Sequence, residues 1–414
     1  MMQRALSAVP RAAKAISKQR QFSALVSLDE EFPGLPATSP SPATASSPSV
    51  STLPSGLTVV TEDASSSTTV TLTFPKAGSA DEMLDEQGAA LVNKGLAFNS
   101  GSGLSTMMIM RNIEDDGGMP FSSAGKFGAT LGFTCPPENA ARLAPLLATD
   151  CSFEKWDVRD ARKLAATETE IAQSSAQVVL TEHLNAAAFG PQSAAGRPFY
   201  SASSVGLAEI QSFRSRAYGV NGAVLAVTGV ADHASFVKAI EEGFSESPAG
   251  TPDAAASLTI WVEKADWPCQ VDTHTLHLPL MLSGAASGVT GFSSKGLVGV
   301  YAGGTSTGEL VDTLSTAVTS AGPELVARAK VLAKAEALFA LDGGSKSLAE
   351  AMTASVVETG TFAGAAGVIA AYDAISDKEV DAAVSAMFKK TPALAAVGDI
   401  TSVPYLGSIV SRFS

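Results

Sequence analysis

The chain is expected to fold as an α+β protein of two similar sandwich-type domains, the second one shortened, and three features of its sequence predict this. Strand-like and helix-like segments alternate irregularly, which favours α+β sandwiches over a doubly wound sheet. A low-complexity bridge at 246–257 divides the chain into a first half, 53–245, and a second half, 258–414. The two halves also end alike. A helix opening near Ala208 is followed 17 residues later by Leu225-Ala226-Val227-Thr228-Gly229, and one opening at Asp377 is followed 17 residues later by Leu394-Ala395-Ala396-Val397-Gly398. Placed at the end of each half, this repeated helix-strand pair favours an internal duplication.

Residues 1–22 read as a removable mitochondrial presequence. Arg4, Arg11, Lys14, Lys18 and Arg20 are basic, and Asp29 is the first carboxylate. Arg4, Arg11, Lys14 and Lys18 collect on one helical face, and Leu6, Val9, Ala13 and Ile16 on the opposite one. An acid-free amphipathic stretch of this kind is a transit peptide in pattern, although Pro10 would kink a long helix. Arg20-Gln21-Phe22-Ser23 resembles a matrix-protease site and places cleavage after Phe22.

Residues 23–52 are rich in Pro, Ser, Ala and Thr and are expected to form a linker or extended arm. Order is expected to resume at Leu53, where a Pro–Gly turn leads into a strand at Leu57-Thr58-Val59-Val60. Thr69 to Phe74 alternates as a second strand, and Glu86 to Phe98 reads as a helix with Leu84, Gly88, Leu91, Gly95 and Phe98 on one face. Glu154 to Phe189 has neither Gly nor Pro and reads as the longest helical stretch, broken once. A helix from Leu207 to Tyr218 precedes a strand from Ala223 to Thr228. Beyond the bridge, strands are expected at Leu258–Val262, Thr275–Leu282 and Leu297–Tyr301, then Ala-rich helices to about Lys389. Ser376 and Glu379 stand in capping-box spacing at the last of these.

Composition narrows the classes of partner. Cleavage removes five of 28 basic residues and leaves 23 against 41 acidic ones, a net charge of −18. Such a surface repels nucleic acid and anionic lipid and attracts basic peptides. Cys135, Cys151 and Cys269 are too scattered for a disulfide framework or a metal cluster, so reduced thiols are expected. No run of 18 or more apolar residues exists, so a membrane association would come through partners.

Little self-sufficient chemistry is visible. Of the histidines, His183, His233, His274 and His277, none forms H-x-x-E-H or its inversion. His274 and His277 are three apart in an expected strand, so they point to opposite faces and cannot chelate one ion. Gly303-Gly304-Thr305-Ser306-Thr307-Gly308 is followed by Glu309 where a phosphate loop needs lysine, and reads as a turn.

Several segments nevertheless resemble one family in order and spacing. They are Leu53-Pro54-Ser55-Gly56-Leu57-Thr58-Val59, Lys76-Ala77-Gly78-Ser79, Phe153-Glu154-Lys155-Trp156-Asp157-Val158 and Glu182-His183-Leu184-Asn185-Ala186-Ala187-Ala188-Phe189. Gly196-Arg197-Pro198, the ending at Gly229 and Val397-Gly398-Asp399-Ile400 with Val403-Pro404 continue the series. The sequence resembles the pitrilysin-like zinc peptidases, which include the mitochondrial processing peptidase subunits and the core proteins of ubiquinol–cytochrome c reductase, complex III. The likeness covers the first half well and the second in outline.

The resemblance implies that two zinc ligands and a general base would stand on the helix after Ala77-Gly78-Ser79, at positions 91, 94 and 95. Those positions hold Leu91, Lys94 and Gly95, while the distal carboxylate ligand survives as Glu168. The implied reading is a partner subunit with no catalytic residue, no metal and no cofactor. Among such relatives, the processing peptidase alpha subunit carries a long glycine-rich loop in its second half. Here that half has about 157 residues and only isolated pairs, Gly303-Gly304 and Gly343-Gly344, which favours a core protein 2-like subunit. The implied setting is the matrix side of the inner membrane, peripheral through complex III. The implied partners are core protein 1 or a beta-type sister, other complex III subunits and, weakly, presequence peptides. An unrelated matrix enzyme or binding module would share the presequence but not the ordered motifs. Glu168 falls on a small, mostly apolar face with Ala161, Leu164, Ala165, Ala172 and Ser175, where a carboxylate needs a partner. Lys94 stands where the base would be, so an ion pair between Lys94 and Glu168 is expected.

Overall fold

The computed structural model describes residues 48–63, 65, 67–99, 103–148, 153–201, 205–245, 247, 289–294, 297–304, 309–314, 323–376, 378–379, 392–398, 400–401 and 403–411. The presequence and its cleavage site, Cys151, Cys269, His274, His277, most of the bridge and the strands expected at 258–262 and 275–282 lie outside these residues.

The first half is organised by one mixed sheet. Its strands are β1 (Ser49–Thr52), β2 (Thr58–Glu62), β3 (Thr68–Phe74), β4 (Met119–Gly125), β5 (Gly128–Cys135) and β6 (Val224–Thr228). They lie in the order β1-β2-β6-β3-β5-β4, with β2 and β6 parallel and every other neighbour antiparallel. The alternation seen in β3 explains its two faces: Val70, Leu72 and Phe74 enter the main core, while Thr69, Thr71 and Thr73 turn the other way.

Helices cover the Val70 face. They are α1 (Ala89–Gly95), α2 (Thr106–Asp115), α3 (Lys155–Ser174), α4 (Ala176–Phe189), α5 (Leu207–Ala217) and α6 (His233–Gly243). Leu96, Ile113, Phe133, Ile210 and Phe213 are fully buried between them and the sheet. The stretch 154–189 breaks once, at Ser175, whose extended backbone (φ −89°, ψ 111°) ends α3 and opens α4. Cys135 is a buried free thiol, and burial pushes its pKa up to about 11.

Three expectations are corrected here. Ordered structure begins before Leu53, because the last four residues of the expected linker form β1 on the edge of β2. His233, at the start of α6, secures it by bonding Ser51 Oγ (2.6 Å) and Thr61 Oγ1 (2.8 Å) through its two ring nitrogens. The helix expected from Glu86 to Phe98 is only Ala89–Gly95. Gly88 takes a left-handed conformation (φ +87°) that ends the preceding loop, and Phe98 is also left-handed (φ +61°). Leu394–Val397, expected as a closing strand, has no strand structure, since no described segment pairs with its backbone.

In the second half, β7 (Val289–Ser294) and β8 (Leu297–Ala302) form an antiparallel hairpin. Its described helices include α7 (Pro323–Asp342), α8 (Ser345–Thr359) and α9 (Gly364–Ala374). The expected capping box appears at residue 376: Ser376 N donates to Glu379 Oε2 (2.7 Å) and Glu379 N to Ser376 Oγ (3.3 Å). The architecture is α+β, with a six-stranded mixed sheet.

Helix α8 crosses to the first half and covers the second face of its sheet. Met352, Val356 and Phe362 pack on Val60, Val224 and Ala226. Beside this apolar seam, Ser345 Oγ bonds Ser67 Oγ (2.7 Å) and Thr69 Oγ1 (2.8 Å), and Lys346 sits 4.2 Å from the Phe121 ring centre.

Candidate functional site

Leu91, Lys94 and Gly95, the positions that the sequence resemblance singles out, lie where α1 meets α3. Leu91 is buried in the main core, and Gly95 faces Ala161 and Leu164 of α3, where a Cβ would lie 3.4 Å from the Ala161 Cβ. Lys94 Nζ donates to Glu168 Oε2 at 2.9 Å, the pairing expected from the sequence. The Lys94 carbonyl also accepts from Ser122 Oγ of β4 (3.2 Å), tying the helix to the sheet edge.

The face around Glu168 differs from the expected one in a way that sets the strength of this pair. The buried stripe of α3 is Val158, Ala161, Ala165, Thr169 and Ala172. Leu164, expected on it, is half exposed, because Leu164 and Glu168 occupy the neighbouring row four residues apart. Lys94 and Glu168 therefore meet at the rim, with side chains 28% and 27% exposed. Water screens such a pair. Lys94→Ala is expected to cost under about 1 kcal/mol in urea unfolding, and the double change Lys94→Leu with Glu168→Leu to be near neutral. A loss of several kcal/mol for Lys94→Ala would show that the carboxylate depends on its ammonium far more than its exposure allows.

These residues do not fit a zinc ion. Leu91 and Gly95 offer no donor atom, and the remaining carboxylate is paired to an ammonium. Among the described residues, no group of three or more His, Cys, Asp or Glu side chains is placed to hold a metal. His183 is exposed on α4, and His233 is committed to two hydroxyls, with burial lowering its pKa. Next to Gly95 an open groove of about 400 Å³ is lined by Asn99, Thr106, Asp157, Asp160, Ala161 and Leu164. Hydrogen bonds from Lys163 and Arg159 lower the pKa of Asp160, and Asp157 accepts from Glu154 N in the capping box of α3.

Sequence reasoning missed the apparatus that positions α1. Glu82 reaches forward to accept from Gly88 N (3.0 Å) and Ala90 N (2.7 Å), capping the helix; its burial raises its pKa. Glu86, outside the helix, accepts from Arg216, from Ser212 Oγ (3.1 Å) and from Met83 N (3.0 Å). Arg197 donates to the Glu82 carbonyl (2.7 Å) and the Met83 carbonyl (3.3 Å), and Arg216 to the Asp81 carbonyl (2.9 Å). The available signal was two glutamates four apart in a loop, with arginine in the Gly196-Arg197-Pro198 segment and in the last turn of α5.

The fold is that of an α+β protein built on a six-stranded mixed sheet, and Leu91 and Gly95 offer no metal-donor atom. No protein-family model and no curated protein sequence matches the chain. Among solved structures, it is similar to a chain of complex III2 from Candida albicans in its Inz-5-bound form. The TM-score is 0.68 at 15% identity, over 88% of this chain and 99% of that one. It is also similar to a protease from Helicobacter pylori, with a TM-score of 0.67 at 15% identity, over 82% of this chain and 96% of that one. The α+β class expected from the sequence is the class observed.

Proposed function

We propose that the chain is a non-catalytic, core protein 2-like subunit of mitochondrial complex III. In this reading it is imported by its presequence and held on the matrix side of the inner membrane through core protein 1 or a beta-type sister and other subunits of the complex. The observation that carries it is the fold, found in a complex III chain and in a protease; the sequence resemblance adds Leu91, Lys94 and Gly95 at the positions where it implies peptidase chemistry. No single helix among the described residues is long and apolar enough to cross a membrane.

Two homologous domains, 53–245 and 258–414, belong to this proposal. A likeness over 88% of the chain reaches well beyond residue 245, and Ser376 with Glu379 forms a capping box, although no strand forms at Leu394–Val397 to complete the repeated ending. The short second half without a long glycine-rich loop favours the core protein over the processing-peptidase alpha subunit. Native electrophoresis of detergent-solubilised mitochondria tests the assignment. Comigration with complex III, and no presequence cleavage by a purified pair containing the chain, is the expected result. Cleavage by that pair would transfer the chain to the processing peptidase, and absence from complex III would end the core-subunit reading.

A further inference from the structure

The loop ahead of α1 is held more firmly than its exposure requires. Arg216 takes the Asp81 carbonyl, Arg197 the Glu82 and Met83 carbonyls and Glu86 the Met83 amide, and the two glutamates themselves are buried. Burying three charged side chains, Glu82, Glu86 and Arg197, costs free energy that is recovered only with good geometry, and what the arrangement secures is a fixed backbone. Yet the side chains at the tip point outward: Met83 is 53% exposed and Leu84 74% exposed. Asp81 and Asp85, both exposed, flank them. A rigid loop presenting an adjacent apolar pair loses little conformational entropy on docking, which is the property of an interface anchor.

Helix capping alone does not account for this. Glu82 caps α1 by its own carboxylate, and that contact needs neither Arg197 on the Met83 carbonyl nor Glu86 on the Met83 amide. Those two bonds fix the residue that carries the first exposed side chain.

We propose that Met83 and Leu84 form a preorganised anchor that docks into an apolar pocket with a lysine- or arginine-bearing rim on a second polypeptide. Charge complementarity selects that rim, because the anchor is bracketed by carboxylates on a strongly acidic chain. A pocket on another copy of this chain would meet like charge and is disfavoured for the same reason. The inference is independent of the complex III assignment, although the sister subunit of that assembly is the natural bearer of such a pocket.

The test uses the full chain in its native assembly. A photoreactive benzoylphenylalanine at position 84 is expected to cross-link one polypeptide, at a segment mapped by mass spectrometry to apolar residues bordered by Lys or Arg. Leu84→Asp is expected to lower co-purification of that polypeptide by about tenfold or more, with the unfolding midpoint unchanged. Asp85→Lys should weaken it less and reduce its sensitivity to salt. No cross-link, a cross-link to a segment without basic residues, or equal recovery with Leu84→Asp would overturn the anchor. Comigration with complex III without a cross-link at position 84 would refute the anchor alone. A mapped cross-link in a chain absent from complex III would refute the core assignment alone.

Discussion

Replacing Arg216 by methionine is expected to cost about 2–4 kcal/mol, far more than removing Lys94, although each cation pairs with one glutamate. The difference is burial of the acid. The Glu86 side chain is only 2% exposed, so loss of the Arg216 guanidinium leaves a carboxylate that water cannot reach. Ser212 Oγ and Met83 N still donate to it, which keeps the cost below that of a wholly stranded charge. Glu168 is open to solvent and loses little. Converting Glu86 to glutamine in the Arg216→Met background removes the charge and should restore a substantial part of the stability. Urea unfolding of the two single variants and the Glu86/Arg216 pair decides it. A loss under about 1 kcal/mol for Arg216→Met, matching Lys94→Ala, would mean that the loop clamp contributes no more than a surface ion pair.

The second large effect is expected at Met352, at the centre of the contact between α8 and the sheet. Its side chain is fully buried against Val60, Val224 and Ala226. Met352→Leu conserves volume and should cost under about 1.5 kcal/mol, whereas Met352→Ala opens a cavity and should cost about 2–4 kcal/mol. Met352→Asp places a carboxylate in an apolar seam with no cation among the residues that form it, and should yield mostly insoluble protein. Solubility and urea midpoints of the three variants form a graded series. Equal stability across them would show that α8 does not hold the sheet.

Much of the first half was legible because its signals are local. The alternation of Thr69 to Phe74 and the single break in a helical stretch free of Gly and Pro depend on neighbouring residues, and both appear in the structure. Lys94 and Glu168 were placed by resemblance and by helical spacing, which fix positions and leave exposure open. That explains why the pair is present but lies on the rim. The missed features are those fixed by distant partners. Ser49-Val50-Ser51-Thr52 has the composition of a linker, and becomes a strand because β2 offers it an edge and His233 holds it. Glu86 looks like the start of a helix until Arg216 and Ser212, 130 and 126 residues away, draw it into the loop. Leu394–Val397 has the apolar run of a strand but lacks a described partner. The buried row Ala349, Met352, Thr353 and Val356 identifies a face of α8, but no periodicity says which sheet that face will cover.

The crossing of α8 also sets an order in time. Thr71 and Thr353, whose hydroxyls lie 3.4 Å apart across the seam, are 282 positions apart in the chain. Every residue of the six-stranded sheet precedes α8, so a chain released from its N-terminus can pair all its strands while one face stays open to water. Loop-closure entropy then makes this non-local contact among the last to form. Until residue 359 has followed, Val60, Val224 and Ala226 present an apolar stripe to any neighbouring chain. The interval between strand pairing and helix arrival is when this protein most needs a chaperone.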